Sequence, residues 1–187
     1  MKNQSRDFIL LDRDGTINIE HHYLSDPDQL KLFPDTGKAL YRLKVMGFGL
    51  IVITNQSGVY LGYLNLAKIR NIHNRLQSLL KNEGVYLDDI YFCPHGSKEN
   101  CTCRKPRTGM IDQAVAEHKF DPHRSFMIGD KAVDIDLGNA VGATSILLRT
   151  GWGIKTEREG KCVPSVIVNN LTDAVNWIEQ RYEKLYE

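Results

Sequence analysis

The stretch that decides the fold is Phe8-Ile9-Leu10-Leu11-Asp12-Arg13-Asp14-Gly15-Thr16-Ile17-Asn18. Its four leading apolar residues predict a short buried strand, and Asp14-Gly15 is a common turn signal. Side chains at i and i+2 of a strand share a side, so Asp12 and Asp14 both face the crevice at the strand's end. Two such carboxylates repel each other unless positive charge lies between them, and a divalent metal with an incoming phosphate would relieve that repulsion. Taken alone, the stretch fits a plain turn equally well, so the rest of the chain has to decide.

Length and composition predict one soluble globular domain over residues 1–187, with ordinary hydrophobic and charged fractions of 42% and 25%. Lys and Arg number 24 against 23 Asp and Glu, so no basic field indicates a nucleic-acid partner. Residues 1–6 lack the apolar core of a signal peptide, and the longest apolar run, near residues 50–53, is too short to span a membrane. We therefore expect a cytoplasmic monomer with neither nucleic-acid nor membrane partners.

Apolar runs alternate along the chain with segments of helical periodicity. The predicted strands cover residues 8–11, 48–53, 90–92, 125–128, 144–148 and 166–168. The predicted helices cover residues 36–46, 66–82, 109–118, 132–141 and 171–186. This alternation predicts an α/β fold of three layers, a doubly wound parallel sheet covered by helices on both faces. No insertion is long enough for a separate lid domain, so we expect a minimal cap and an open site.

Oxygen-bearing side chains follow three of the predicted strands, namely Asp12, Thr54 and Asp130. Ligands of such sheets bind at the carboxyl ends of the strands, so these three should meet at one edge. Asp130 suits Mg²⁺, which prefers oxygen ligands, and the Thr54 hydroxyl suits a phosphate. Lys105 offers a point charge for a phosphoryl oxygen. Asp134 either orients a metal-bound water or Lys105, or simply begins a helix favourably.

Three of the four cysteines lie close together, in Cys93-Pro94-His95 and Cys101-Thr102-Cys103. Three thiolates and one imidazole at these spacings match a closed tetrahedral zinc site, which is normally structural. The predicted zinc loop leads directly into Arg104 and Lys105, so zinc would hold these two side chains toward the site. Cys162 is distant and is expected to be a free thiol.

The order of these motifs resembles the haloacid dehalogenase superfamily of phosphatases. The matching residues are Asp12-Arg13-Asp14-Gly15-Thr16 for the first motif, Thr54-Asn55-Gln56 for the second, Lys105 for the third, and Gly129-Asp130 with Asp134 for the fourth. The cysteine and histidine loop narrows the resemblance to the zinc-loop branch that lacks a large cap. Members of that branch hydrolyse heptose 1,7-bisphosphate or histidinol phosphate. The likeness extends over residues 8–151.

The resemblance implies a role for each matching residue. Asp12 would be the nucleophile, and Asp14 would protonate the leaving alcohol and then activate water. The side chains of Asp12 and Asp130 and the backbone carbonyl of Asp14 would hold Mg²⁺, with the carbonyl of Lys131 as a further candidate ligand. The residues implied to hold the phosphoryl oxygens are Thr54 and Lys105. Those implied to contact the substrate are Arg13, Glu20, His21, His22, Tyr23, Asn55, Gln56, Ser57 and Arg104.

The resemblance favours a Mg²⁺-dependent sugar-phosphate phosphatase, with heptose 1,7-bisphosphate preferred because residues 54–58 resemble the heptose enzymes. A phosphatase of histidinol phosphate or of another small phosphomonoester is the near alternative. A zinc-stabilised binding module without catalysis is an alternative of another class, and the intact motifs argue against it. Two positions depart from the pattern of the heptose enzymes: Leu61 replaces a usual arginine, and His22 stands where glycine is common. Both departures concern the substrate rather than the chemistry.

Overall fold

The computed structural model describes residues 6–183 and contains one six-stranded parallel sheet. The strand order is β3-β2-β1-β4-β5-β6, so the chain winds outward from β1 in one direction and then in the other. The strands are β1 (Phe8–Leu11), β2 (Gly49–Asn55), β3 (Asp89–Cys93), β4 (Phe126–Gly129), β5 (Thr144–Leu148) and β6 (Val166–Val168). The predicted doubly wound parallel sheet is therefore confirmed.

Six α-helices among the described residues cover the two faces of this sheet. They are α1 (Thr36–Val45), α2 (Leu66–Asn82), α3 (Gly109–His118), α4 (Ala132–Ala140), α5 (Gly153–Glu159) and α6 (Leu171–Glu183). The sequence pattern predicted five of these helices but did not predict α5. The last residues predicted for the final helix, 184–186, lie outside the described residues. Between residues 6 and 183, none of the helices combines the length and apolar character needed to cross a membrane.

The central strand β1 shows how the three layers form. Ile9 and Leu11 point into one core, which is completed by apolar side chains of α1, α2 and α6. Phe8 and Leu10 point into the opposite core, with side chains of α3 and α4. Since successive strand residues face opposite sides, a continuous apolar strand needs helices on both faces.

The strand β2 is longer than its apolar run. We expected it to end at Ile53, before Thr54, but the strand continues through Asn55. The reason is its partner: Thr54 pairs with Phe92 and Asn55 with Cys93 in the parallel ladder with β3. The polar residues of the second motif are therefore fixed by backbone pairing at the very end of the strand.

Asp88, which precedes β3, connects three separate segments. Its carboxylate accepts hydrogen bonds from Arg6 Nη1 at 2.6 Å, from Lys44 Nζ at 3.0 Å and from the Leu50 amide at 2.8 Å. Burial by itself would raise the pKa of Asp88, but the Leu50 amide and the two basic side chains outweigh it and hold the pKa below its ordinary value.

Asp88→Asn is therefore expected to lower the free energy of unfolding by about 1 kcal/mol at neutral pH. A depressed pKa contributes stability above the unfolded-state value and loses it as the pH falls through the folded-state value, so the variant and wild type should converge in acid. Urea denaturation near pH 7 and below about pH 3 measures this, with the exposed Asp28→Asn as the control. An equal loss at both pH values would contradict a charge effect.

Candidate active site

The carboxyl ends of β1, β2 and β4 meet at the middle of the sheet and carry a cluster of polar side chains. Asp12 follows β1, Thr54 lies near the end of β2, and Asp130 follows β4. All three are buried, and the Asp12 amide donates a hydrogen bond to the Ile128 carbonyl at 2.9 Å. Because β1 lies between β2 and β4, this is the switch point at which parallel sheets bind ligands.

Lys105 reaches this cluster from the loop between β3 and α3. Its Nζ lies 2.7 Å from Asp12 Oδ1, 2.6 Å from Asp134 Oδ1 and 2.7 Å from the Ile53 carbonyl oxygen. Burial alone would lower the pKa of Lys105, but the carboxylates of Asp12 and Asp134 outweigh it and raise the pKa. A buried ammonium group therefore stays charged beside the Asp12 carboxylate.

The second aspartate of the motif, Asp14, accepts hydrogen bonds from three side chains. Arg13 donates from Nε to Oδ1 at 3.1 Å and from Nη2 to Oδ2 at 2.6 Å. Asn18 donates to Oδ1 at 2.9 Å, and Gln56 donates to Oδ2 at 3.0 Å. Burial raises the pKa of Asp14, but Arg13 and then Asn18 and Gln56 lower it to a net value below the ordinary one.

Three carboxylates of this cluster fit a divalent cation. Asp12, Asp130 and Asp134 each place an oxygen within 4.8 Å of the others. Asp130 Oδ1 is buried without a hydrogen-bond partner among residues 6–183. Burial, followed by the charge of Asp12, raises the pKa of Asp130 to about 8. An orphaned carboxylate oxygen in a cluster of acids is the donor type that Mg²⁺ prefers.

Two glycines enclose the carboxylate of Asp130. A Cβ atom at Gly15 or at Gly151 would lie 2.2 Å from Asp130 Oδ2, which leaves no room for a side chain. Both glycines also have positive φ angles, 88° and 51°, that other residues rarely adopt. The Trp152 amide also donates a hydrogen bond to Asp130 Oδ2 at 2.7 Å. The orientation of Asp130 is thus fixed by the backbone around it.

A second metal-binding cluster lies in the loop after β3. Cys93, His95, Cys101 and Cys103 place their ligand atoms within 4.8 Å of one another. Cys93 Sγ lies 3.1 Å from Cys103 Sγ and 3.8 Å from Cys101 Sγ, and His95 Nδ1 lies 3.2 Å from Cys103 Sγ. In a tetrahedron with metal–sulfur bonds of about 2.3 Å, ligand atoms stand roughly 3.7 Å apart, so the cluster fits zinc.

The loop that follows this cluster is tethered to β2. The Asn55 side chain accepts a hydrogen bond from the Lys105 amide at 3.0 Å and donates one to the Lys105 carbonyl at 3.3 Å. Arg104 Nη1 donates to the carbonyl of His95 at 3.0 Å. The cysteine cluster and Asn55 together fix the backbone from which Lys105 enters the cluster of acids.

Two cavities meet at Asp14. The inner cavity, of about 370 Å³, is lined by Asp12, Asp14, Thr54, Asn55, Ser57, Arg104, Lys105, Lys131, Ala132, Val133 and Asp134. The outer cavity, of about 200 Å³, is lined by Arg13, Asp14, Glu20, His21, His22, Tyr23, Leu24, Asn55, Gln56, Ser57, Lys131 and Trp152. Every residue predicted to contact a substrate therefore lines one of these cavities. Lys131 Nζ, which lines both, lies 2.6 Å from Glu20 Oε2.

Two residues of this site were not predicted from the sequence. Asn18 bonds Asp14, and Trp152 lines the outer cavity while its amide bonds Asp130. Trp152 follows β5, so the strand-end rule applied to that strand could have found it, whereas no signal marks Asn18.

Leu61, one of the two departures from the pattern of the heptose enzymes, is 46% exposed and is absent from the linings of both cavities. A third cavity, of about 380 Å³, lies at the opposite end of the sheet and is lined in part by Asp7. Its lining does not contain such a cluster of acids around a lysine.

Comparison with known proteins agrees with this geometry. Residues 102–174 match the family model described as HAD-hydrolase-like. The D-glycero-beta-D-manno-heptose-1,7-bisphosphate 7-phosphatase of Haemophilus ducreyi is 38% identical over 178 residues, covering 91% of this chain and 97% of that protein. The protein of the same description from Helicobacter pylori is 40% identical over 172 residues, covering 91% of this chain and 96% of its own length.

Solved structures give the same result. The crystal structure of D,D-heptose 1,7-bisphosphate phosphatase from B. bronchiseptica, complexed with magnesium and phosphate, has a TM-score of 0.88 and 29% identity and covers 94% of this chain and 99% of that chain. A structure from Mesorhizobium loti, described as that of a HAD-like phosphatase, has a TM-score of 0.79 and 28% identity. The match covers 95% of this chain and 88% of that chain. The sequence identities, the shared fold and the arrangement of acids at the strand ends lead to one conclusion: this chain belongs to the HAD-like hydrolase family, in the group that contains the heptose 1,7-bisphosphate 7-phosphatases.

Proposed function

We propose that this chain is a magnesium-dependent phosphatase that removes the 7-phosphate of D-glycero-D-manno-heptose 1,7-bisphosphate, giving heptose 1-phosphate and phosphate. The contact between Lys105 and Asp12 carries the proposal. A buried, charged lysine beside a buried carboxylate, in the same cavity as Thr54, is suited to receive the oxygens of a phosphoryl group. The relatives of 36–40% identity that act on this bisphosphate support the substrate.

Asp12 acts as the nucleophile. One of its carboxylate oxygens attacks phosphorus while the bond from phosphorus to the substrate oxygen breaks, leaving an aspartyl-phosphate. Lys105 and the Thr54 hydroxyl bind the phosphoryl oxygens and stabilise the charge that develops on them. Asp14 lines the same cavity, and the negative charge of the bound phosphoryl group favours its protonated form. In that form it gives its proton to the departing alkoxide.

Asp14 then serves the second half of the reaction as a base. It takes a proton from a water molecule whose oxygen attacks the phosphorus of the aspartyl-phosphate, which releases phosphate and restores the Asp12 carboxylate. The three side chains that bond Asp14 favour its anion and therefore suit this step. The Asp14 proton given up in the first step is recovered from that water.

Magnesium would be held by the side chains of Asp12 and Asp130 and by the backbone carbonyls of Asp14 and Lys131. When bound, it withdraws charge from the phosphoryl oxygens and reduces their repulsion by Asp12. Asp134 stays outside this set, because its two oxygens lie against Lys105 Nζ and the Lys131 amide. Its role is to hold Lys105 in place.

Zinc would occupy the cluster of Cys93, His95, Cys101 and Cys103. With four protein ligands, such a site leaves no position for water or substrate, so its role is structural. It would stiffen the loop that leads into Arg104 and Lys105. The tether from Asn55 acts on the same segment from the other side.

The substrate specificity can be tested directly. Among heptose 1,7-bisphosphate, histidinol phosphate and several sugar monophosphates, purified protein with Mg²⁺ is expected to show the highest kcat/KM on the heptose bisphosphate. The reason is the pair of adjoining cavities, one with Lys105 for the transferred phosphoryl group and one with Tyr23 and His22 for the rest of the sugar. Phosphate release and the position of the remaining phosphate, read by nuclear magnetic resonance, provide the measurement. Faster turnover of histidinol phosphate would assign the chain to the sister activity.

A further inference from the structure

One amide nitrogen connects the two parts of the site that handle the phosphoryl group and the proton. Gln56 Nε2 donates to Thr54 Oγ1 at 2.9 Å and to Asp14 Oδ2 at 3.0 Å, and the residue is only 6% exposed. Both hydrogens of this nitrogen are therefore used inside the protein. The reverse orientation of the amide would place its oxygen against the Asp14 carboxylate, so the anion itself selects the observed orientation.

Gln56 lies in a different segment of the chain from the other donors to Asp14. Arg13 and Asn18 belong to the same turn as Asp14 and move with it. Gln56 directly follows β2, 42 residues away, next to Thr54. Arg13 and Asn18 can orient the carboxylate within its own turn, but only Gln56, of these three, fixes its distance from the phosphoryl-binding hydroxyl.

The hydrogen bond to Thr54 has a consequence for the hydroxyl proton. A hydroxyl group has one hydrogen to donate. Since Thr54 Oγ1 accepts from Gln56, that hydrogen stays available for an oxygen on the cavity side, where Thr54 is part of the lining.

We propose that Gln56 is a positioning residue that aligns the proton-transferring carboxylate of Asp14 with the phosphoryl-binding hydroxyl of Thr54, rather than a residue that contacts the sugar. The inference rests on the proposed phosphatase function. It predicts an effect that depends on the leaving group: a sugar alkoxide needs a proton in order to leave, whereas a nitrophenoxide leaves without one. A misplaced Asp14 should therefore harm the sugar phosphate more than the aryl phosphate.

Gln56→Met, which keeps the length of the side chain and removes its donors, tests this. The measured quantity is the ratio of kcat/KM for heptose 1,7-bisphosphate to kcat/KM for p-nitrophenyl phosphate, because kcat/KM covers only the steps through the first phosphoryl transfer. The ratio is expected to fall about tenfold or more, with a smaller loss on the aryl ester through Thr54. Gln113→Met, at an exposed glutamine that bonds Glu117 on α3, is the matched control and should keep the ratio of the wild type.

Gln56→Leu is the second variant and decides the matter if Gln56→Met does not fold. Its side chain has no hydrogen to donate to Asp14, so the same fall in the ratio is expected. An unchanged ratio in a folded variant, with both esters slowed equally, would assign Gln56 a purely structural role and overturn the inference while leaving the phosphatase intact. A wild-type protein that hydrolyses neither ester with Mg²⁺ would overturn the proposed function and this inference together.

Discussion

Asp12→Asn is expected to lower the rate of phosphate release by roughly 10⁴-fold or more, because a neutral amide cannot form the aspartyl-phosphate. The change keeps the size of the side chain and removes one negative charge from a buried group of three acids, Asp12, Asp130 and Asp134. The fold should therefore survive. Phosphate-release kinetics and a thermal melt of the purified variant measure the two effects.

The control for this variant is Asp112→Asn, which removes a carboxylate from the first turn of α3, away from both cavities. It should retain the activity of the wild type. Acid quenching followed by mass spectrometry adds an independent readout, since the wild type alone should carry a covalent phosphate. Substantial Mg²⁺-dependent turnover by a folded Asp12→Asn protein would contradict the nucleophile assigned here.

The second large effect concerns the cysteine cluster and the lysine beyond it. Cys103→Ser is expected to weaken zinc binding, lower the melting temperature and reduce activity by about 100-fold, since misplacing a catalytic group by about 1 Å can cost that much. Lys105→Ala should reduce activity at least as strongly and yet keep about one zinc per chain. The reason is that the cluster fixes the loop, whereas Lys105 contacts the acids.

Metal analysis by mass spectrometry beside phosphate-release kinetics separates these two roles. Thermal stability alone does not, because removing Lys105 leaves Asp12 and Asp134 buried without their partner and should also destabilise the fold. Cys162→Ser is a matched control. Cys162 is distant from the cluster in sequence, so the variant should keep both zinc and activity. Full activity of zinc-free protein would refute the positioning role, and loss of zinc from Lys105→Ala would refute the separation of roles.

The sheet could be predicted from the sequence because its strands are apolar runs that end in turn residues. The helix α5 could not, because its seven residues are mostly polar and bury only Gly153 and Thr156. Thr156 Oγ1 donates to the Asp130 carbonyl at 2.9 Å, across 26 residues of sequence. Periodicity does not reveal a short polar helix that contacts the rest of the protein through such distant residues.

The same distinction applies to the site. The strand-end rule predicts that Asp12, Thr54 and Asp130 come together, because parallel strands share one carboxyl edge. The rule does not reveal how the turn after β1 folds back on itself, so the hydrogen bond from Asn18 to Asp14 could not be predicted. The link from Gln56 to Asp14 joins the ends of two strands and depends on side-chain rotamers, which a sequence pattern does not specify.

The enclosure of Asp130 between Gly15 and Gly151 has a consequence for how such a chain can change over evolutionary time. A methyl group at either glycine would collide with the carboxylate, and a shorter side chain at 130 would make room while removing the orphaned oxygen. A side chain at either glycine, or a shorter side chain at position 130, therefore removes the close fit among these three residues. The three sites, more than a hundred residues apart along the chain at their extremes, are therefore expected to vary only in concert, as an epistatic unit.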